Sequence, residues 1–293
     1  MKKVFTFLLL SLGLYGDVVS ILPYAGSIDY GNDIQTSAKD RASIYGVHIS
    51  IGDLSYLLEL DYCAYDALYK DKTLSPLQQN DFTAIYSSYT PSFMLRYGVH
   101  YVQTTDTQLD DGVVAIVGWG GYDFFGYDKL SYGLDFYGSY YPHGHNETQS
   151  VTQTSQGVRL AQFSPYIQYY KALNLHWGNK VSFRYNWEYG FDFQQKQYSL
   201  YEISDTLYYD QLYVTLEYYN GEMRSGVMQG GFVVYNTLDL LKRGSKIEFG
   251  WQAKAILVAF SYMQNSYNEF SVDSSITKEN TNSLYLSTIN IRF

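Results

Sequence analysis

The amino-acid sequence predicts an all-β protein: a closed antiparallel up-and-down β-barrel that spans a membrane with about 14 strands. Three observations carry that expectation. Apolar and polar side chains alternate at period two in segment after segment, aromatic residues crowd the segment ends, and no stretch beyond the N-terminus is apolar for the roughly 20 residues that a membrane helix needs. The chain has 293 residues, of which 46% are hydrophobic and 17% charged, against roughly a quarter charged in average soluble domains. That excludes a disordered chain. Aromatic residues make up 18%, and the 34 Tyr outnumber the 16 Phe and 4 Trp together. A single cysteine, Cys63, excludes an intramolecular disulfide and a cysteine-built zinc site.

The first element is a leader. Met1, Lys2 and Lys3 precede the apolar run FTFLLLSLGL, which breaks at Gly13 and Gly16 before Asp17. Charge, apolar stretch and small residues in that order predict a secretory signal over residues 1–16, cleaved after Gly16. Residues 17–293 then form the barrel domain. Loss of Lys2 and Lys3 takes the formal charge from −9 to −11, and an acidic export product is a poor nucleic-acid binder.

The strands follow from alternation. Over 181–191, Val181, Phe183, Tyr185, Trp187, Tyr189 and Phe191 share one face, opposed by Ser182, Arg184, Asn186, Glu188 and Gly190. Segments 55–64 and 93–102 repeat the pattern. Strands are predicted near 18–30, 43–51, 55–66, 81–90, 93–104, 112–124, 130–141, 162–173, 180–193, 208–220, 226–237, 246–251, 256–268 and 282–293. Turns at 52–54, 91–92, 126–129, 174–179, 220–225 and 252–255 fall at one end. Longer loops at 31–42, 67–80, 142–161, 194–207 and 269–281 fall at the other, the expected outer side. Between 246 and 268 the apolar positions switch from odd (Ile247, Phe249, Trp251) to even (Ile256, Val258, Phe260, Tyr262), which implies a turn or a bulge. One bent strand there would reduce the count to 12.

The C-terminus adds a more specific signal. Phe293 ends the chain, and Ile291, Ile289, Ser287 and Tyr285 share its face. This resembles the terminal-strand signature of bacterial outer-membrane β-barrel (porin-like) proteins, with Ser287 departing from the usual apolar residue. The resemblance implies a multi-pass barrel in the outer membrane, and an assembly signal at Tyr285, Ile289, Ile291 and Phe293 read by the barrel-assembly machinery. Outer-membrane lipid would surround it.

A barrel of this size is wide enough for a narrow hydrated lumen unless loops fill it. Glu59, Asp61, Arg96, His100, Asp135, Arg184, Glu188, Glu217, Glu248 and Arg292 all lie opposite the apolar stripes. Charges in a membrane segment are tolerated facing water, where they bias which ions and solutes pass. Glu59, Asp61, Arg96, His100, Arg184 and Glu188 are therefore expected to line a passage for small hydrophilic solutes or ions. No cofactor is implied. A non-conducting barrel acting through its outer loops is the alternative.

An outer-membrane hydrolase is a third reading with less support. His143 and His145 lie in a loop without identifiable further metal ligands, no G-x-S-x-G elbow occurs, and Asp110, Asp111 and His100 sit on different elements. The glycines of Gly118-Trp119-Gly120-Gly121 fit strand bends or close packing better than a phosphate loop.

Overall fold

The computed structural model describes residues 18–31, 37–105, 111–142, 157–193, 195–234, 239–253, 255–269 and 279–293. The leader lies outside the described residues. So do His143, His145, Asp110 and most of loops 142–161 and 269–281.

Fourteen antiparallel strands close into a barrel. In chain order they are β1 (Val18–Asp29), β2 (Lys39–Gly52), β3 (Tyr56–Tyr69), β4 (Leu77–Tyr89), β5 (Phe93–Thr104), β6 (Gly112–Phe125), β7 (Asp128–Tyr141), β8 (Val158–Ala172), β9 (Trp177–Gly190), β10 (Gln197–Tyr209) and β11 (Leu212–Arg224). After two short strands, β12 (Val227–Met228) and β13 (Val233–Val234), which stand outside the wall, follow β14 (Leu240–Ala253), β15 (Ile256–Asn268) and β16 (Glu279–Arg292). Each wall strand pairs with its sequence neighbours, β11 with β14, and β1 with β16. Closure leaves no edge, as a sheet in lipid requires.

The short turns are chemically fixed. Asp53 Oδ1 accepts from Ser55 N at 2.6 Å and Tyr56 N at 3.1 Å, closing the β2–β3 turn. Asn174 Oδ1 does the same for His176 N and Trp177 N at 2.8 and 2.9 Å. These are Asx-turns, in which a short polar side chain replaces a backbone acceptor. The phase change between 246 and 268 is a turn between β14 and β15, so the two-strand reading holds.

Side chains sort by face. Val117, Phe136, Ile167, Phe183, Ile203, Leu216, Phe249 and Phe260 are exposed on the outside, Phe183 by 44% and Phe260 by 59%. A belt of that composition around a closed sheet belongs in a bilayer. Among the described residues no helix is long and apolar enough to cross a membrane.

Two expectations fail, and they cancel in the count. Residues 197–207, expected within an outer loop, form most of β10 (Gln197–Tyr209), and the strand expected over 208–220 is broken by a turn at 210–211. The tract Glu202-Ile203-Ser204-Asp205-Thr206 is too polar to announce a membrane strand. Its inward Glu202, Ser204 and Thr206 face the lumen, and the outward Asp205 accepts from Asn179 Nδ2 at 2.5 Å near the turn end. Of residues 226–237, expected as a wall strand, the described 226–234 instead enter the lumen, where β12 pairs with β13 apart from the wall. As a consequence 220–225 lies at the loop end, and the turn joining β10 to β11 is Asp210-Gln211, with Asp210 at φ 47°.

Candidate functional site

The candidate site is the barrel interior. Alternation and register place all six residues singled out from the sequence on the inner wall.

Glu59 and Asp61 project from β3 beside His48 of β2. His48 Nε2 lies 3.7 Å from Glu59 Oε1, and its Nδ1 lies 3.5 Å from Asp61 Oδ1. Tyr24 Oη donates to Asp61 Oδ2 at 2.9 Å. Farther round the wall, Asp135 of β7 sits between two guanidinium groups, Arg96 Nη1 at 3.5 Å and Arg184 Nη1 at 2.7 Å. The Arg184 guanidinium also lies over the Tyr166 ring at 4.9 Å. The glycine run in β6 makes room here. A Cβ at Gly118 would fall 2.5 Å from Asp135 Oδ1, and one at Gly120 would fall 2.7 Å from Tyr166 Oη. Close packing, and no phosphate loop, is what those glycines serve.

His100 and Glu188 face inward but are covered, at 0% and 2% exposure. The cover is the segment between β11 and β14. Ser225, Gln229, Gly230 and Gly231 take positive φ (56°, 49°, 70° and 104°), and the chain doubles back with β12 paired to β13. Glycine makes the tightest part of that turn accessible at little steric cost. Val227 and Val234 pack into Ile85, Val102, Val114, Ile116 and Tyr137. Met228 packs with Leu200, Tyr219, Met223 and Leu241.

Polar contacts fix the register of this segment. Gln162 Nε2 donates to Val227 O at 2.7 Å, and Gln162 Oε1 accepts from Val227 N at 2.7 Å, so one side-chain amide serves both backbone groups. His100 Nδ1 lies 3.0 Å from Gly231 O and 2.7 Å from Thr83 Oγ1. Glu188 Oε2 accepts from Arg224 N at 3.1 Å. Phe232 reaches His48 at 5.0 Å, edge to face, and at the far end Asp239 pairs with Lys39 of β2 at 2.9 Å. The segment thus touches wall strands from β2 round to β14 and packs across part of the lumen.

Space remains beside it. Side chains of Glu59, His48, Arg184 and Arg96 keep 19%, 21%, 18% and 11% exposure inside the barrel. Lys246 and Glu248, paired at 3.1 Å, stay partly accessible on β14.

Sequence reasoning missed the roles of His48, Gln162, Tyr24 and Asp239. His48 was legible in principle, on the inward face of a strand directly opposite Asp61 in register. Gln162 carries no local signal, because its partner is 65 positions away. Of the residues weighed for catalysis, Asp111 Oδ1 accepts from Thr104 N at 2.8 Å at the loop end of β5. Among the described residues no group of three or more His, Cys, Asp and Glu is arranged to hold a metal ion. Cys63 is buried on the inner face beside Tyr24 and Ala64.

On the outside, Tyr285, Ile289, Ile291 and Phe293 form an exposed stripe on β16. The same strand closes the barrel, with Phe293 N donating to Val19 O at 2.9 Å.

No family model matches the chain, and no curated protein is detectably similar to it in sequence. Solved structures are similar in fold. The CymD monoaromatic hydrocarbon channel shares 7% identity, with 95% of this chain and 88% of that chain covered and a TM-score of 0.50. The Pseudomonas putida toluene transporter TodX shares 7% identity over 97% and 90%, with a TM-score of 0.48. The Acinetobacter baumannii outer membrane protein Omp33 shares 9% over 94% and 97%, with a TM-score of 0.47. At these identities the likeness concerns architecture alone, that of a closed antiparallel multi-strand barrel.

Proposed function

We propose that the protein is a passive channel of the bacterial outer membrane for small hydrophilic solutes or ions. The observation that supports this is the inner wall, where the side chains of Glu59, Arg96 and Arg184 keep 19%, 11% and 18% exposure inside a closed barrel. Charged groups at a constriction replace part of a solute's hydration shell and bias which ions enter. Glu59, Asp61, Arg96 and Arg184 act as selectivity residues in this scheme. His100 and Glu188 act on passage indirectly, by holding the inward segment. The chemistry is that of diffusion, without covalent catalysis.

Residues 1–16 are the export leader in this proposal. The outward stripe Tyr285, Ile289, Ile291 and Phe293 is the feature offered to the barrel-assembly machinery. Full-length mature protein in planar bilayers tests the function: discrete conductance steps are expected, and current at the level of the bare membrane would refute it. The segment wedged across the lumen favours one competing reading, a non-conducting surface barrel that acts through its outer loops. Silent bilayers together with loss of partner binding on loop deletion would select it.

A further inference from the structure

One part of the inner wall is apolar. On β1, β2, β15 and β16 the inward positions include Ile28, Ile44, Met263, Leu284 and Leu286, around Gly26. Register makes them one patch: Ile28 opposes Leu284, Leu284 opposes Met263, and Gly26 opposes both Ile44 and Leu286. A Cβ at Gly26 would lie 3.1 Å from Ile44 Cγ2 and 3.1 Å from Leu286 Cδ1, so the two side chains flank the glycine. Ile28, Ile44, Leu284 and Leu286 remain partly exposed although they point into the barrel. A wall that faced only water and hydrophilic solutes would gain nothing from such residues, because exposing apolar area to water is unfavourable.

The charge beside this patch has a sign. Four residues along β2 from Ile44, on the same face, stands His48, with Glu59 at 3.7 Å and Asp61 at 3.5 Å. Glu59, and behind it the buried Asp61, therefore border the turn end of the apolar surface; Lys246 stands opposite Met263 in register but is paired with Glu248 at 3.1 Å, so the carboxylates outnumber the cations beside the patch. We infer that the channel favours small amphipathic cations, molecules with an aromatic or aliphatic body that slides along the Ile44–Leu286 surface and an ammonium head that meets Glu59 and Asp61. This rests on the channel function proposed above and narrows its solute class.

Bi-ionic reversal potentials on the full-length mature protein in planar bilayers test it. The probes are benzylammonium and protonated tris(hydroxymethyl)aminomethane, similar in size and both cations, with benzoate as the anionic counterpart and potassium as the reference. Benzylammonium is expected to permeate about tenfold better than the hydroxylated cation, the ratio that burying a few tens of Å² of apolar surface gives. Benzoate is expected to lag behind benzylammonium. The double variant Ile44→Asn, Leu286→Asn should bring the benzylammonium advantage close to one with potassium current retained, and the milder Leu286→Thr should reduce it in part. Heat-modifiable mobility verifies that each variant is a folded barrel. Potassium current with no benzylammonium preference, equal benzoate passage, or a preference that survives the double variant would overturn the inference and leave the channel standing. Absence of potassium current would overturn the channel itself.

Discussion

Replacement of Gln162 by Leu should release the inward segment. The Gln162 amide satisfies both backbone groups of Val227, each at 2.7 Å, in a region where Val227 is 1% exposed. Leucine is close in volume and keeps the apolar contacts, but it leaves a buried N–H and a buried C=O unpaired. Each orphaned group costs about 1–3 kcal/mol. Taken together the loss is about 2–6 kcal/mol, which shifts the ratio of docked to undocked segment by about 30- to 20,000-fold. Ser164 Oγ still donates to Asn186 Oδ1 at 2.7 Å, so the wall itself keeps its internal bond. Hydrogen exchange at residues 225–234 should accelerate by a comparable factor, and bilayer recordings should show longer or larger open events. Native-like exchange at these amides, with unchanged conductance, would refute the view that this amide locks the segment across the lumen.

Other consequences test separate parts of the account. Asp135→Asn leaves the Arg96 and Arg184 guanidinium groups without the carboxylate between them. Loss of a buried partner of this kind costs about 3 kcal/mol, so refolding in lipid vesicles should fail at lower urea, and ion passage should shift toward anions. On the outer face, Phe183→Arg puts a charge in the apolar belt and should cost about 2–4 kcal/mol in the same refolding assay if the position is near mid-membrane. Unchanged urea stability would contradict the lipid-facing assignment. At the rim, Arg159 donates to Asp192 from its backbone N and its guanidinium and holds that carboxyl below the usual carboxylate range. A depressed folded-state value means the contact stabilises above the ordinary carboxylate range, about pH 4, and is lost as pH falls through the lower folded value. Protection factors at residues 190–193, which divide out the slower intrinsic exchange at low pH, should therefore fall on acidification in the native protein, whereas Asp192→Asn should show that lower protection already at neutral pH.

Strand β9 shows how far sequence reading reaches. Its outward Phe183, Tyr185 and Trp187 and its inward Arg184, Asn186 and Glu188 follow directly from the two-residue period. Alternation reports which face a side chain takes, and in a barrel that alone separates lipid from lumen. It does not report what lies against the inner face. Val227, Met228, Phe232, Val233 and Val234 have the composition of a membrane strand, and only their docking, of Val227, Phe232 and Val234 on Ile85, Val102, Val114 and Ile116 and of Met228 and Val233 on Leu200, Tyr219 and Leu241, reveals a lumen filler. The inward valines and isoleucines of β4, β5 and β6 were the available hint, since an inner wall apolar at those positions needs an apolar partner. The β10 error is the converse: Glu202, Ser204 and Asp205 read as loop because a strand facing water on one side can be as polar as a loop.

A spin-label accessibility scan of residues 181–188, in a Cys63→Ser background reconstituted in lipid vesicles, bears most directly on the architecture from which every functional statement here is derived. Labels at 181, 183, 185 and 187 should respond to oxygen dissolved in lipid and be shielded from a water-soluble nickel relaxant, with the order reversed at 182 and 184. Equal access at neighbouring positions, or water-soluble relaxant reaching the Phe183 and Tyr185 sites, would contradict a sealed barrel with one face in lipid.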